Sequence, residues 1–407
     1  MSTDQARGPR RPQPLRGVRV LEFAQFLAAP ACSLILSDLG ADVVKVEDPD
    51  GGDAYRLAGP PFIGDNSVPF EATNGDKRSV AVDLRTPDGA ALARRLVQDA
   101  DVVLVSFRTS AVRRLGLDHD TLRAVRPGLI YCAVTGYGTR GARADDGAVD
   151  MTIQAESGLM SVTGAPDGEP VRYGVPITDW GTGMFAAIGV LAALRHRDQT
   201  GEGCEIDCSL FGTGLLWGSI PLLHYQASGQ NQPRTGNVHP HIVPYGVYRA
   251  ADGWVALSAP TERTWQQLCQ VLQLGELAAD PDFATPRLRN ENRTRLLERL
   301  SRRLEERTSA DLTQALRAAD VPCAPVNTYD VLSEGAEPWL DAAPLLDTPG
   351  RQGESWRIPT TPVRLNGDWP EVRRPAPSLG AHTDEVLREA GVPSARLDEL
   401  RARGVIR

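Results

Sequence analysis

Short, nearly unbroken runs of apolar residues constrain this chain more than any other feature. Val18–Phe23 (VRVLEF), Asp42–Glu47 (DVVKVE), Asp101–Val105 (DVVLV) and Leu129–Val134 (LIYCAV) have few polar positions. A strand with one wet face alternates apolar and polar residues, whereas a strand apolar throughout is covered on both faces. Ser79–Leu84 reads as a further strand, with Val80 and Val82 on one face. Helical stretches lie between these runs. Pro30–Leu39 is a compact apolar helix ended by Gly40, and Thr86-Pro87 opens another that runs to about Asp99. Thr suits an N-cap and Pro the first helical position. This alternation predicts an α/β fold with a parallel sheet between helical layers.

Further along, Ile177–Asp198 reads as a long helix, Glu205–Leu210 as a strand, and the stretch to about Tyr225 as an apolar helix. Residues 226–244 are polar and rich in turn formers, so they read as a linker or a functional loop. The texture then changes. Tyr245–Arg249 and Trp254–Ser258 flank Ala251-Asp252-Gly253, a hairpin signal. Helices at about 261–273, 291–305 and 309–319 and a strand-like 324–326 complete a smaller α+β unit. From about 345 the chain is rich in Pro and Arg until a last helix near 382–390. A length of 407 residues calls for two to three domains. The expected division is a flexible basic tail at 1–14, a large domain at 15–225, a small one at 226–330 and a C-terminal segment at 331–407.

Several functional classes are disfavoured. A net charge of −8 argues against nucleic acid as the main partner. Of 44 basic residues only Lys45 and Lys77 are lysines, a bias that a GC-rich genome explains. The longest apolar run, Gly181–Leu194, has 14 residues and as a helix would span about 21 Å, short of the ~30 Å hydrocarbon core of a bilayer. The first 14 residues lack the apolar stretch of a secretory signal. The six cysteines are scattered without a CxxC pair, as expected of a reduced cytoplasmic enzyme rather than a disulfide framework or a zinc site. The six histidines form no HExxH, so no metal is expected. There is no Walker A sequence and no GxSxG. Gly136-Tyr-Gly138-Thr-Arg-Gly141 matches G-x-G-x-x-G, but the polar ARADDGAVD follows instead of a helix N-terminus, which argues against a dinucleotide site.

The most informative stretch is Gly174-Val-Pro-Ile-Thr-Asp179-Trp-Gly-Thr-Gly-Met184. Asp179 falls at the start of the long helix. One reading makes it an N-cap, worth about 1 kcal/mol. Gly181 and Gly183 point further, because a helix start chosen for stability alone would avoid two poor helix formers. Glycine lets another group approach the backbone closely. On the second reading Asp179 is a nucleophile whose charged form the helix N-terminus favours.

A specific resemblance joins these segments. LRGVRVLEFAQFLAAPACSLILSDLGADVVKVEDPDGGDAYR, NGDKRSVAVDLRTPDG, QAESGLMSVTG, TDWGTGMFAAIGVLAALRHRDQTGEGCEIDCSLF, DPDFATPRLRNENR and PSLGAHTDEVL occur in the order seen in family III CoA-transferases, the group of formyl-CoA and carnitine CoA-transferases. The chain resembles that family over about residues 15–390. The resemblance implies a Rossmann-like large domain to which the C-terminal segment returns, a small domain, and an interlocked homodimer. It implies coenzyme A thioesters as substrates, carboxylic acids as acceptors and no permanently bound cofactor. Asp179 matches the family's nucleophile, which passes through a mixed anhydride and an aspartyl-CoA thioester. Leu84, Arg85, Ser106, Phe107 and Arg114 match positions that bind CoA, with Phe107 against adenine and the arginines on phosphates.

This chain also departs from the family's pattern. Val105-Ser106-Phe107 stands where Glu-Asn-Phe is common, and Asp48-Pro-Asp50 follows Glu47 where formyl-CoA transferase carries an arginine. That enzyme's acyl-site glutamine corresponds to Leu27, and its glycine-run loop is absent. Leu27, Val149 and Trp180 near Asp179 suggest apolar walls and a medium aliphatic or aromatic acid, which argues against oxalate as the preferred acceptor. The family's racemases use a His just before an Asp as a second base. Here that pair is Val149-Asp150, and no histidine lies between His119 and His196. CoA transfer is therefore the expected activity, with racemisation or another acyl-CoA reaction as the alternative.

Overall fold

The computed structural model describes residues 12–334, 343–350, 355–371 and 374–407; most of the basic tail lies outside them. The chain forms two units. Met1–Gly158, Tyr173–Ser219 and Pro338–Arg407 make the first, and Leu159–Arg172 with Ile220–Glu337 the second. The second unit thus takes a short segment from within the expected large domain and begins at Ile220 rather than 226.

The first unit is built on six parallel strands: β1 (Arg19–Phe23), β2 (Asp42–Glu47), β3 (Arg78–Ala81), β4 (Val102–Val105), β5 (Ile130–Thr135) and β6 (Cys204–Ser209). Their order is β3-β2-β1-β4-β5-β6. The chain winds outward from β1 in one direction and then from β4 in the other, so the sheet reverses between these two strands. In such sheets the crevice for a ligand opens beyond the carboxyl ends of the strands at the reversal. Register puts Leu21 beside Val44 and Val103. Successive strand residues feed opposite cores. Leu21, Phe23, Val44, Val46, Val103 and Val105 pack on one face, and Val20, Val43, Val102, Leu104, Ile130 and Cys132 on the other. This two-sided burial is why the strands carry so few polar residues.

The third strand ends at Ala81 rather than Leu84. Val82 still donates to the Glu47 carbonyl of β2 and also bridges to Ile406, and the Asp83 N–H donates to the Val405 carbonyl, so the chain's end tucks beside the sheet. A helix at Ser394–Ala402, not expected from the sequence, precedes that end; the one expected near 382–390 spans Thr383–Glu389. The helix after β3 (α2, Pro87–Gln98) is capped by Thr86, whose hydroxyl accepts from the Gly89 N–H.

On the second face α1 (Ala28–Asp38) packs against the long helix Ile177–Thr200, which with the intervening α3 (Thr109–Leu115) and α4 (Asp150–Glu156) is numbered α5. At 24 residues α5 is long and apolar enough to cross a bilayer, which the sequence runs did not suggest. Ala186, Ala187, Val190 and Ala193 are nonetheless buried in the core, which makes it the central helix of this face. The glycines at its start admit other helices. A Cβ on Gly183 would stand 2.6 Å from the Ala28 carbonyl oxygen and 2.9 Å from the Ala31 Cβ. One on Gly181 would meet Thr213 and Trp217 of α6 (Leu210–Trp217) at 2.8 Å. Gly183→Ala is therefore expected to destabilise the protein by about 1–3 kcal/mol through overpacking, seen as a lower denaturant midpoint. An unchanged midpoint would show that α1 yields without strain.

A buried ionic cluster lies under the carboxyl ends of β1 and β2. The Lys45 Nζ lies 2.6 Å from Glu22 and 2.9 Å from Asp53, and the Lys77 Nζ 3.0 Å from Glu22. All four side chains are fully buried. Lys77 also donates to the Asn74 Oδ1 and the Pro30 carbonyl, and Ser33 donates to Glu22. Burial alone would raise the Glu22 carboxyl; the two ammonium groups outweigh it and hold the group down at about 2.

In the second unit the expected hairpin forms, with Tyr245–Arg249 paired to Trp254–Ser258 and Cys323–Pro325 added antiparallel. Helices Glu262–Val271, Arg293–Leu304 and Ser309–Ala318 cover it around Trp265, Leu300 and Leu316.

Candidate active site

Asp179 is the third residue of α5, not its N-cap, and Pro176 stands at the cap position without a side-chain bond. The capping role falls to Asp150, the first residue of α4. Its Oδ1 accepts from the Thr178 N–H at 2.8 Å, the Thr178 hydroxyl at 2.6 Å and the Asp179 N–H at 3.4 Å. Gln154 donates to its other oxygen. Asp150 thus satisfies backbone donors that a helix start leaves open.

This changes the electrostatics expected at Asp179. The helix end does not hold its carboxyl ionised, because Asp150 already occupies those donors. Burial, and then the Asp150 charge, push Asp179 up to about 7. Among the described residues its carboxylate accepts no hydrogen bond. A partly buried carboxylate that accepts no hydrogen bond is a stronger nucleophile than a fully hydrated one, and it still ionises near neutral pH.

Leu27 is buried and stands at the start of α1, while Val149, just before Asp150, is half-exposed. Two aromatic residues not singled out individually in the sequence, Phe26 and Tyr55, pack together. Phe26 has a left-handed backbone, φ 64°, and its ring meets Tyr55 edge-on at 5.9 Å. The Asp53 Oδ1 accepts from both the Phe26 N–H and the Tyr55 N–H, at 3.0 and 2.9 Å. Burial raises the Tyr55 phenol, and Asp179, Asp53 and Asp150 raise it further, in that order.

Beyond the carboxyl ends of β1, β2 and β3 opens a cavity of about 210 Å³ lined by Gln25, Asp53, Leu84, Arg85 and Phe107, among others. It sits at the sheet reversal. The Ser106 hydroxyl ties the two strands there, accepting from the Gln25 N–H at 3.1 Å, and does not line the cavity. Arg85 is exposed at the rim and already paired with Asp83 at 2.7 Å and Asp48 at 3.3 Å. Phe107 also borders a second cavity of about 230 Å³, with Arg113, His119, Tyr131 and Arg140. Arg114 is exposed and lines neither cavity; the adjacent Arg113 does. In the glycine fingerprint the Asp207 carboxylate binds the Thr139 N–H and hydroxyl, and no helix begins until Asp150. A carboxylate therefore stands at the loop where a pyrophosphate would need donors.

Known proteins resemble this chain over nearly its whole length. Residues 15–383 match the family described as CoA-transferase family III. The chain is 38% identical to a succinate–glutarate CoA-transferase of Agrobacterium fabrum, covering 94% of this chain and 96% of that protein. It is 32% identical to the human succinyl-CoA:glutarate CoA-transferase, covering 97% and 90%. The crystal structure of a CAIB/BAIF family protein from Brucella suis superposes with a TM-score of 0.84 at 37% identity, over 93% of this chain and all of that one. The protein belongs to the family III CoA-transferases.

Proposed function

We propose that the protein moves coenzyme A from succinyl-CoA to a dicarboxylate of about five carbons, with Asp179 as the covalent nucleophile. The observation that carries this is the Asp179 carboxylate itself, partly buried, accepting no hydrogen bond among the described residues and pushed up to about 7. In this reading it attacks the thioester carbonyl, the C–S bond breaks, and a mixed anhydride and CoA thiolate form. The thiolate then attacks the aspartyl carbonyl, releasing succinate and leaving an aspartyl-CoA thioester. The acceptor carboxylate repeats the two steps in reverse and leaves as the new thioester. Covalent catalysis divides the exchange and keeps the activated acyl group from water. The apolar Leu27 and Val149 suit the methylene chain of an acceptor. The glutarate in the names of two relatives adds the second carboxylate.

In this proposal CoA lies at the sheet reversal with Leu84, Arg85 and Phe107. Its phosphates meet Arg85 and the arginines of α3, Arg113 and Arg114, and Ser106 holds the crevice from behind. Arg85→Ala and Arg113→Ala are each expected to raise KM for succinyl-CoA about tenfold with kcat little changed, since remote phosphate contacts serve ground and transition states alike. Steady-state kinetics decides this; a fall in kcat at constant KM would remove the arginine from the phosphate site. The same assay on Arg114→Ala tells which α3 arginine binds.

We further propose the homodimer. Leu216 and Trp217 of the first unit and Ile220 and Leu223 of the second are exposed large apolar residues on one continuous stretch. Such a stretch fits an obligate interface. Incubation with succinyl-CoA and a panel of mono- and dicarboxylates, followed by mass spectrometry of the CoA esters, tests the activity. Formation of glutaryl-CoA supports it. Loss of optical activity in a 2-methylacyl-CoA without exchange would instead mark a racemase.

A further inference from the structure

We infer that Asp150, braced by Gln154, is the positioning residue of the nucleophile. It fixes the backbone that carries Asp179 and sets beside it a negative charge that attack on the thioester relieves. This rests on the CoA transfer proposed above. The clamp is built from one turn of α4. Asp150 and Gln154 stand four positions apart, so their side chains meet on one face of the helix, and the Gln154 amide donates to the Asp150 Oδ2. Gln154 is buried, and its Oε1 accepts from the Tyr173 N–H at 2.7 Å. The Asp150 Oδ1 accepts from the Thr178 N–H, the Thr178 hydroxyl and, at 3.4 Å, the Asp179 N–H. The pair therefore holds both ends of the segment that leads to Asp179. On the other side the Thr182 hydroxyl donates to the Thr178 carbonyl at 2.6 Å and lies 2.8 Å from the Thr213 hydroxyl of α6. Residues 173–175 are exposed, so the bonds to α4, rather than burial, hold that stretch.

The charge has a role apart from the bonds. Ser, Thr or Asn can accept from the same helix-start donors without bringing a charge. Here the acceptor is a carboxylate set next to the carboxylate that must react, and a like charge so placed disfavours the ionised form of the nucleophile. The attack removes that conflict. The bond from the Asp179 oxygen to the acyl carbon forms, the C–S bond breaks, and its electron pair leaves on the CoA sulfur. The negative charge moves from beside Asp150 to the thiolate. A repulsion present before the attack and absent after it lowers the barrier. The direction agrees with the state of Asp179, which burial and then Asp150 raise. One other titratable group is coupled to it, the Tyr55 phenol, which burial and then Asp179, Asp53 and Asp150 keep neutral.

Asp150→Asn keeps an oxygen for the Thr178 donors but turns an amide nitrogen toward the Gln154 amide. We expect kcat to fall about 10²-fold, as for a reacting group misplaced by about 1 Å, with KM for succinyl-CoA changed less than about threefold. The acid limb of the kcat/KM profile, which follows ionisation of Asp179, should move about one unit to lower pH once the neighbouring charge is gone. The double variant Asp150→Asn/Gln154→Glu rebuilds the bonds. Its new amide donates to its new carboxylate, whose other oxygen accepts the Tyr173 N–H, and the charge moves one turn along α4. It should regain the wild-type denaturant midpoint and a kcat within about tenfold of wild type, with the acid limb still at lower pH. A kcat within about threefold of wild type in Asp150→Asn overturns the inference. So does an acid limb that stays in place in whichever variant folds, or a double variant that regains the midpoint but not the rate. Single-turnover mixing with succinyl-CoA alone, quenched and read by peptide mass, separates the two claims. No adduct on Asp179 in the wild type overturns the transfer reading and this one with it. An adduct formed equally fast by wild type and Asp150→Asn overturns only the role of Asp150.

Discussion

Asp179→Asn should reduce CoA transfer by more than about 10²-fold while the fold remains intact. The amide cannot attack a thioester, and it loses no capping bond, since Asp150 and not Asp179 caps α5. The substitution should even stabilise the ligand-free protein above neutral pH. The Asp179 carboxyl stands at about 7 in the folded chain, against an ordinary value of 3.8, through burial and then Asp150. Between about pH 4 and 7 the folded chain therefore binds more protons at this group than the unfolded chain does. Stability falls as pH rises through that window. At about 1.4 kcal/mol per pH unit the penalty amounts to a few kcal/mol, and the Asn variant is spared it. Denaturant midpoints at pH 5 and pH 8 test this. The wild type should lose stability relative to the variant between the two values, and parallel curves would show that the folded chain hydrates the carboxylate. Transfer above a hundredth of wild type in the Asn protein would end the nucleophile assignment.

The second large effect lies in the buried ionic cluster. Glu22→Ala should cost about 3–5 kcal/mol, the range for breaking a buried pair by removing one partner. Lys45 would keep Asp53, but Lys77 would lose the carboxylate that Glu22 gives it. Burial lowers the Lys77 ammonium to about 8 even with Glu22 beside it. In the Ala variant it should lose its proton lower still. The pH dependence carries the opposite sign to that of Asp179. Glu22 sits at about 2 when folded, against 4.5, so its stabilisation is complete above about pH 4.5 and fades as pH falls toward 2. The Ala variant should lack that acid limb. A midpoint within about 1 kcal/mol of wild type would show that water reaches the lysines.

How far the sequence could be read follows from the range of each interaction. The strands were legible because burial on two faces leaves its mark within a few residues. The third was read too long because beyond Val82, which bridges to Ile406 more than 300 positions away, the chain turns to the Val405 carbonyl. Asp179 stood out through its glycines, which were read as places of close approach. They admit α1 and α6, and the cap comes from Asp150, 29 positions earlier, where no local cap pattern could reveal it. Arg114 and Arg113 differ by one position, yet one step along a helix turns a side chain by about 100°. Arg113 borders a cavity and Arg114 does not, a difference the motif could not show. Lys45 and Lys77 were conspicuous as the only lysines, but their meeting on Glu22 spans 23 and 55 positions.

Those two lysines have a chemical consequence for a protein that handles activated acyl groups. Thioesters acylate free amines, and the lysine ε-amine is the usual target on a protein surface. Here both such amines are fully enclosed, and every other basic side chain is an arginine, which stays protonated, or a histidine. Apart from an α-amino group, the folded chain offers its own substrates no primary amine to modify. Amine-directed labelling would therefore report the opening of the β1–β2 core rather than exposure of the surface.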